Sequence, residues 1–193
     1  YCDFHFSTQT RYKHELLLAI KSELLLRGNY LEQEPVQSIY FGGGTPSLLG
    51  ADEVSGMLDA VYRTHEVLPG AEITLEANPE DLTQEKTLSF RQAGINRMSI
   101  GIQSLDDGCL RFMNRAHDAR QARESIAAVR SAGFENISAD LIYGLPALTT
   151  QMWEGTLTEI FSAGIQHLSA YCLTVEGKTA LAQPYRQIDP LSL

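Results

Sequence analysis

Short runs of β character alternate with stretches of helical periodicity along most of the chain. The runs cover residues 37–41, 72–77, 97–102, 137–143 and 167–173, and each is followed by a helical stretch. Residues 51–65 carry Val54, Met57, Leu58 and Val61 on one helical face, and residues 119–132 bring Ala122, Ile126, Val129 and Arg130 round in successive turns. Another helix is expected over residues 11–27, ahead of the first run. Gly94, Gly133 and Gly164 each follow an alanine where a helix should stop, as a left-handed C-cap requires.

Strands that alternate with helices imply a parallel sheet, because parallel neighbours need a crossover connection. The pattern alone fits either a doubly wound sheet or a barrel. The polar residues decide between them. Gly42–Thr45 end the first run, Glu76 the second and Gln103 the third; Asp140 lies in the fourth, and Thr174 ends the fifth. Polar groups at several strand ends converge when the strands curve, so the expected fold is α/β, a partial barrel.

Composition narrows the picture less. The 193 residues are 44% hydrophobic and 20% charged, as in a soluble globular domain. No apolar run approaches the ~20 residues of an integral membrane segment. A net charge of −9 argues against a general nucleic-acid binder, which needs a basic face. The three cysteines, Cys2, Cys109 and Cys172, are far apart and odd in number. They argue against a disulfide framework and for a reducing, cytoplasmic setting. Cys109 and Cys172 read as small core residues. The chain opens at Tyr1-Cys2 without an initiator methionine, so its natural start is expected upstream.

The strongest local signal is Phe41-Gly42-Gly43-Gly44-Thr45-Pro46. Three glycines after a strand permit positive φ and leave the backbone bare to a ligand. The spacing matches neither a Walker A loop nor a dinucleotide fingerprint, and a plain tight turn is the alternative. Glu76, in a strand exit at Pro79, could hold ribose hydroxyls or an ammonium group, or be a capping or solvated acid. Gln103 is a site donor and acceptor or a satisfied loop amide. Arg115 could pair bidentately with a carboxylate, or make a surface salt bridge. Asp140 stands in an otherwise apolar strand, where a carboxylate without partners is costly, so a site role is the better reading.

Taken in order, YCDFHFS, IYFGGGTPS, LEANPED, MSIGIQSLDD, NRAHDARQA, ADLIYGLP and AYCLTVE resemble the radical S-adenosylmethionine (SAM) enzymes. The resemblance is to their oxygen-independent coproporphyrinogen III oxidase branch, and it runs from Tyr1 to about Thr179. It implies a partial (β/α)6 TIM-like barrel over residues 1–179, with its first strand and part of the cluster loop preceding residue 1. Residues 180–193 would begin a C-terminal extension or linker. It further implies a [4Fe–4S] cluster on a Cys-x3-Cys-x2-Cys loop, whose last cysteine is Cys2. The chain as given would then lack two cluster ligands. The backbone of Gly43, Gly44 and Thr45 would meet the amino group of SAM, and Arg115 its carboxylate. Glu76, Gln103 and Asp140 would line the same site, with Tyr1 and Thr174 as backbone contacts. In this family one electron from the cluster cleaves SAM to a 5′-deoxyadenosyl radical, while the protein positions reactants and excludes solvent.

One position divides the branch. The porphyrinogen oxidases carry a fourth cysteine two residues after the third, and here that position is Phe4. Phe4 resembles the heme-chaperone subgroup, HemW, which binds heme and delivers it to apoproteins. The alternative is an oxidase that decarboxylates coproporphyrinogen III to protoporphyrinogen IX, fed by a flavodoxin-type electron donor. His117, shared with the chaperone subgroup, is a candidate heme-side residue; a solvated loop histidine is the other reading.

Overall fold

The computed structural model describes residues 10–146, 148–179 and 181–182. Among them, five parallel strands form one sheet in chain order. These are β1 (Val36–Phe41), β2 (Val67–Ala77), β3 (Arg97–Gln103), β4 (Asn136–Tyr143) and β5 (His167–Cys172). Helix α1 (Lys13–Leu26) precedes β1. Crossovers are made by α2 (Ala51–Thr64) after β1, α3 (Gln84–Gln92) after β2, α4 (Asp107–Phe112) and α5 (Ala119–Ser131) after β3, and α6 (Thr150–Ser162) after β4. The sheet curls into a half-barrel with the helices outside, so the expected α/β partial barrel is the fold observed.

Away from two irregular pairings the strands alternate, and that alternation makes two unlike faces. Ile73, Leu75, Met98, Ile100, Ile137, Ala139 and Leu141 face outward and are buried against Val54 and Leu58 of α2, Phe90 of α3, Ala122, Ile126 and Val129 of α5, and Ile160 of α6. Every strand places polar residues at intervening positions: Ser38 and Tyr40, Glu72 and Thr74 and Glu76, Arg97 and Ser99, Asn136 and Ser138 and Asp140, His167 and Ser169. Parallel sheets buried on both faces usually read as continuous apolar runs. Here the concave face is built for polar company.

Three helix ends use one device. At Ala93-Gly94-Ile95, Ala132-Gly133-Phe134 and Ala163-Gly164-Ile165 the glycine takes φ of 109°, 85° and 76°. The next N–H then bonds back to the helix, Ile95 to Phe90 O, Phe134 to Val129 O and Ile165 to Ile160 O. This is the Schellman arrangement, and its apolar residue drops into the core before β3, β4 and β5 begin.

Two expectations need correction. β2 begins at Val67, well before residue 72, because Pro69 and Gly70 sit inside an irregular register against β1: Val36 faces Val67 while Ser38 faces Glu72. Such residues read as a turn in sequence and are tolerated in a strand only at a bulge. Cys172 is exposed rather than a core residue, since β5 is the edge of the described sheet and most of it is uncovered. Cys109 is buried as expected, and burial, with Asp106 beside it, pushes its thiol up to about 11.

Candidate functional site

The C-terminal ends of the strands carry a rim of polar groups over the concave face. After β1, Gly43 and Gly44 have φ of 78° and 64°, and a Cβ on either would meet nothing within 4 Å. The loop therefore offers bare backbone with open space in front of it. It is tied at its start by Glu76, whose Oε2 accepts from the Gly43 N–H at 3.1 Å. Glu76 Oε1 accepts from the Tyr40 hydroxyl at 2.8 Å. Gly42 makes that pairing geometrically possible, because a Cβ there would sit 2.7 Å from the Tyr40 ring.

The same cluster holds Ser99 and Asp140. Partial burial, then the hydrogen bond and charge of Glu76, push the Tyr40 hydroxyl up to about 12, with Asp140 adding to the effect. Burial likewise raises the Asp140 carboxyl above its usual range, with the charge of Glu76 adding to it; a hydrogen bond with Ser169 and the charges of Arg97 and His167 oppose the rise. Lower on the concave face, Glu72 accepts from Thr74 at 3.3 Å and from Asn136 at 3.1 Å and pairs with Arg97 at 3.8 Å.

At the end of β3 the chain makes a bulge, taking three steps from Ile100 to Gln103 while β4 takes two from Ala139 to Leu141. Gln103 adopts φ of 61°, left-handed for a residue with a side chain, a conformation worth ~1–3 kcal/mol of strain that favours functional positions. Gly101 clears space beneath it: a Cβ there would lie 2.8 Å from Gln103 Nε2 and 3.7 Å from Arg115 Nη2. Arg115 donates to Asn78 Oδ1 at 3.0 Å and toward the Gly101 carbonyl at 3.5 Å.

His117 is not a solvated loop residue. It is 3% exposed, with Nδ1 3.1 Å from Glu80 Oε2 and Nε2 3.1 Å from the Ile102 carbonyl. A heme contact from this ring would require it to leave both partners. Burial alone would raise the Glu80 carboxyl, but the hydrogen bond and charge of His117, Glu80's own backbone and Arg115 outweigh it and hold the carboxyl below its usual range.

The rim thus brings Gly43, Gly44, Glu76 and Asp140 into one cluster and Gln103 with Arg115 into a second, adjacent one. Thr174 is exposed just beyond β5, and Thr45 is half-buried behind the glycines. Tyr1, Cys2 and Phe4 lie outside the described residues. Among the described residues, no group of three His, Cys, Asp or Glu side chains is disposed to hold a metal ion, and no helix is long and apolar enough to cross a membrane. Sequence reasoning missed Tyr40, Ser47, Asn78, Glu80 and Asp81. For Tyr40 the available signal was its parity with Ser38 on the polar side of β1.

The polar groups suit a zwitterionic nucleoside ligand: bare backbone C=O groups to accept from an ammonium, a guanidinium for a carboxylate, and carboxylates for hydroxyls. The fold and its rim define an α/β half-barrel of parallel βα units with an open polar site at its strand ends. The model of the Radical SAM superfamily matches residues 1–160, and the chain belongs to that superfamily. Within it the chain is similar to the heme chaperone HemW of Mycobacterium tuberculosis H37Rv, 38% identical over 97% of this chain and 49% of that protein. It is similar also to the heme chaperone HemW of Bacillus subtilis 168, at 35% identity over 93% and 48%. The chain spans about half the length of these relatives. Among solved structures, coproporphyrinogen III oxidase (HemN) from Escherichia coli superimposes with a TM-score of 0.84 at 26% identity, covering 100% of this chain and 44% of that one.

Proposed function

We propose that this chain is the SAM-binding core of a heme chaperone. The observation that carries the reading is the Gly43–Glu76 contact, which fixes an open, side-chain-free loop beside two carboxylates at the strand ends. In this reading the backbone of Gly43, Gly44 and Thr45 receives the amino group of SAM and Arg115 its carboxylate. Glu76, Gln103 and Asp140 line the nucleoside, with Tyr1 and Thr174 as backbone contacts. Cys2 is the last of three thiolate ligands to a [4Fe–4S] cluster, and SAM bound at a reduced cluster supplies one-electron chemistry. The protein's own work is to orient the ligand, hold its charges and keep water from the concave face.

The cargo is heme, passed to apoproteins. Phe4, in place of the fourth cysteine of the oxidases, supports this over porphyrinogen oxidation, as does similarity to relatives named heme chaperones. The structural likeness to HemN favours the second reading, an oxidase of coproporphyrinogen III served by a flavodoxin-type donor. The complete protein, loaded anaerobically with cluster, should bind heme stoichiometrically and pass it to an apoprotein. With coproporphyrinogen III, SAM and reductant it should yield no protoporphyrinogen IX. Turnover to that product would replace the chaperone reading with the oxidase one.

A further inference from the structure

The turn that follows β2 uses its side chains in an unusual way. Glu80 and Asp81 lie in a short 3-10 turn, Pro79–Asp81, that Asn78 leads into as its N-cap, and such residues ordinarily cap their own backbone. Asn78 makes no side-chain cap bond, and each of the three reaches a different partner on another rim segment. Asn78 Oδ1 accepts from Arg115 at 3.0 Å. Glu80 Oε2 lies 3.1 Å from Nδ1 of His117, which is itself held to the Ile102 carbonyl next to Gln103. Asp81 Oδ2 accepts from the Ser47 hydroxyl at 2.6 Å, and the same hydroxyl accepts from the Asn78 N–H at 3.2 Å. Ser47 has no exposed surface and sits two residues beyond Thr45.

The glycine loop needs outside support. Gly43 and Gly44 pack no side chain against anything, so the loop's shape is set by its anchored ends, Glu76 at one and Ser47 at the other. Arg115 has the complementary problem, a long side chain whose placement depends on what its head group meets. One rigid turn, stiffened by Pro79 and by Asp81 N–H to Asn78 O and Leu82 N–H to Pro79 O, grips both.

We propose that the turn at 78–81 is a positioning element that sets the distance between the Gly43–Thr45 backbone and Arg115, and with it the affinity for the amino-acid head of the ligand. Glu80, Asp81, Ser47 and His117 are its working parts, acting through the groups they hold. The inference rests on the SAM-site reading above and adds residues to it.

The test compares two ligands on the complete, anaerobically cluster-loaded protein: SAM, and 5′-methylthioadenosine, which keeps the nucleoside and lacks the amino-acid head. Glu80→Ala and Asp81→Ala should each weaken SAM roughly five- to tenfold, the net size of one ordinary hydrogen bond, because each acts on the ligand only through the group it holds. Both should leave 5′-methylthioadenosine within about twofold of wild type. Glu80→Gln and Asp81→Asn keep an acceptor for His117 and Ser47 and should restore most of the SAM affinity. Ser47→Ala removes one oxygen from a buried site and gives the same readout should the other variants fold poorly. Equal losses for both ligands, or no loss of SAM affinity alongside a clear loss in Arg115→Ala, would overturn the positioning role and leave the site reading standing. Undiminished SAM affinity in Arg115→Ala would instead remove the site reading itself.

Discussion

The Tyr40 hydroxyl lies 2.8 Å from Oε1 of Glu76, a bond that crosses from β1 to β2 on the concave face. Since the hydroxyl is pushed up to about 12, it keeps its proton throughout the neutral range and acts as a donor. Glu76 is thereby held between a phenol and the Gly43 N–H, with its orientation fixed before any ligand arrives. Tyr40→Phe removes one of these bonds and little packing, because the ring is half-exposed. SAM affinity should fall roughly three- to tenfold while stability changes by about 1 kcal/mol or less. In the wild type, SAM affinity should show no loss from this group between about pH 7 and pH 10. Calorimetric titration of both proteins across that range checks both statements.

Asp140 yields a prediction whose sign depends on pH. Its folded carboxyl titrates above the unfolded one, chiefly through burial, with the charge of Glu76 adding to the rise. The native state therefore holds the proton more tightly, and ionisation costs stability as pH rises from the ordinary aspartate range through the raised value. Asp140→Asn should melt a few degrees higher than wild type at neutral pH, and this gain should vanish below the ordinary aspartate range. The same substitution should weaken SAM binding. Thermal melts at neutral and acid pH would contradict the account if the variant were less stable at pH 7.

The helix-ending glycines allow a cleaner energetic test. A Cβ at Gly133 would meet nothing within 4 Å, so Gly133→Ala isolates the cost of a left-handed φ of 85°, about 1 kcal/mol. A Cβ at Gly164 would lie 2.8 Å from Nη2 of Arg130, whose Nε donates to the Ala163 carbonyl and whose Nη2 donates to the Gly164 carbonyl at the same helix end. Gly164→Ala should therefore destabilise by more than Gly133→Ala. Denaturant unfolding with unchanged slopes would give the two values, and the reverse order would refute the clamp by Arg130.

Much of the fold was legible because its signals are local. The Ala-Gly-apolar triplets mark three helix ends, and the five strand runs announce themselves by their β-forming residues. The curvature followed from where the chemistry stood, at Gly43, Glu76 and Gln103 on successive strand ends. What escaped was set by tertiary company. Val67–Ala71 joins β2 only through an irregular pairing with β1, which the Pro69-Gly70 pair disguises as a turn. His117 looked like a solvated loop residue, since nothing in Arg115-Ala116-His117-Asp118 says that Glu80 and the Ile102 carbonyl will close round the ring. Asn78, Glu80 and Asp81 stand inside the LEANPED segment, yet their partners lie 34 to 37 residues away. Gln103 was named for its chemistry, whereas its left-handed backbone appears only with the bulge after Ile100.

In the function proposed above, the rim around Glu76 receives SAM. The most direct test is titration of SAM into the complete, cluster-loaded protein and into its Glu76→Ala variant, with cluster absorbance followed in the same samples. Saturable binding of one SAM per chain is expected in the wild type. In the variant, affinity should be weakened by at least about tenfold, on the scale of a charged group with two hydrogen bonds, with unchanged cluster absorbance. Absence of SAM binding in the wild type, or equal affinity in the variant, would contradict that role for the rim.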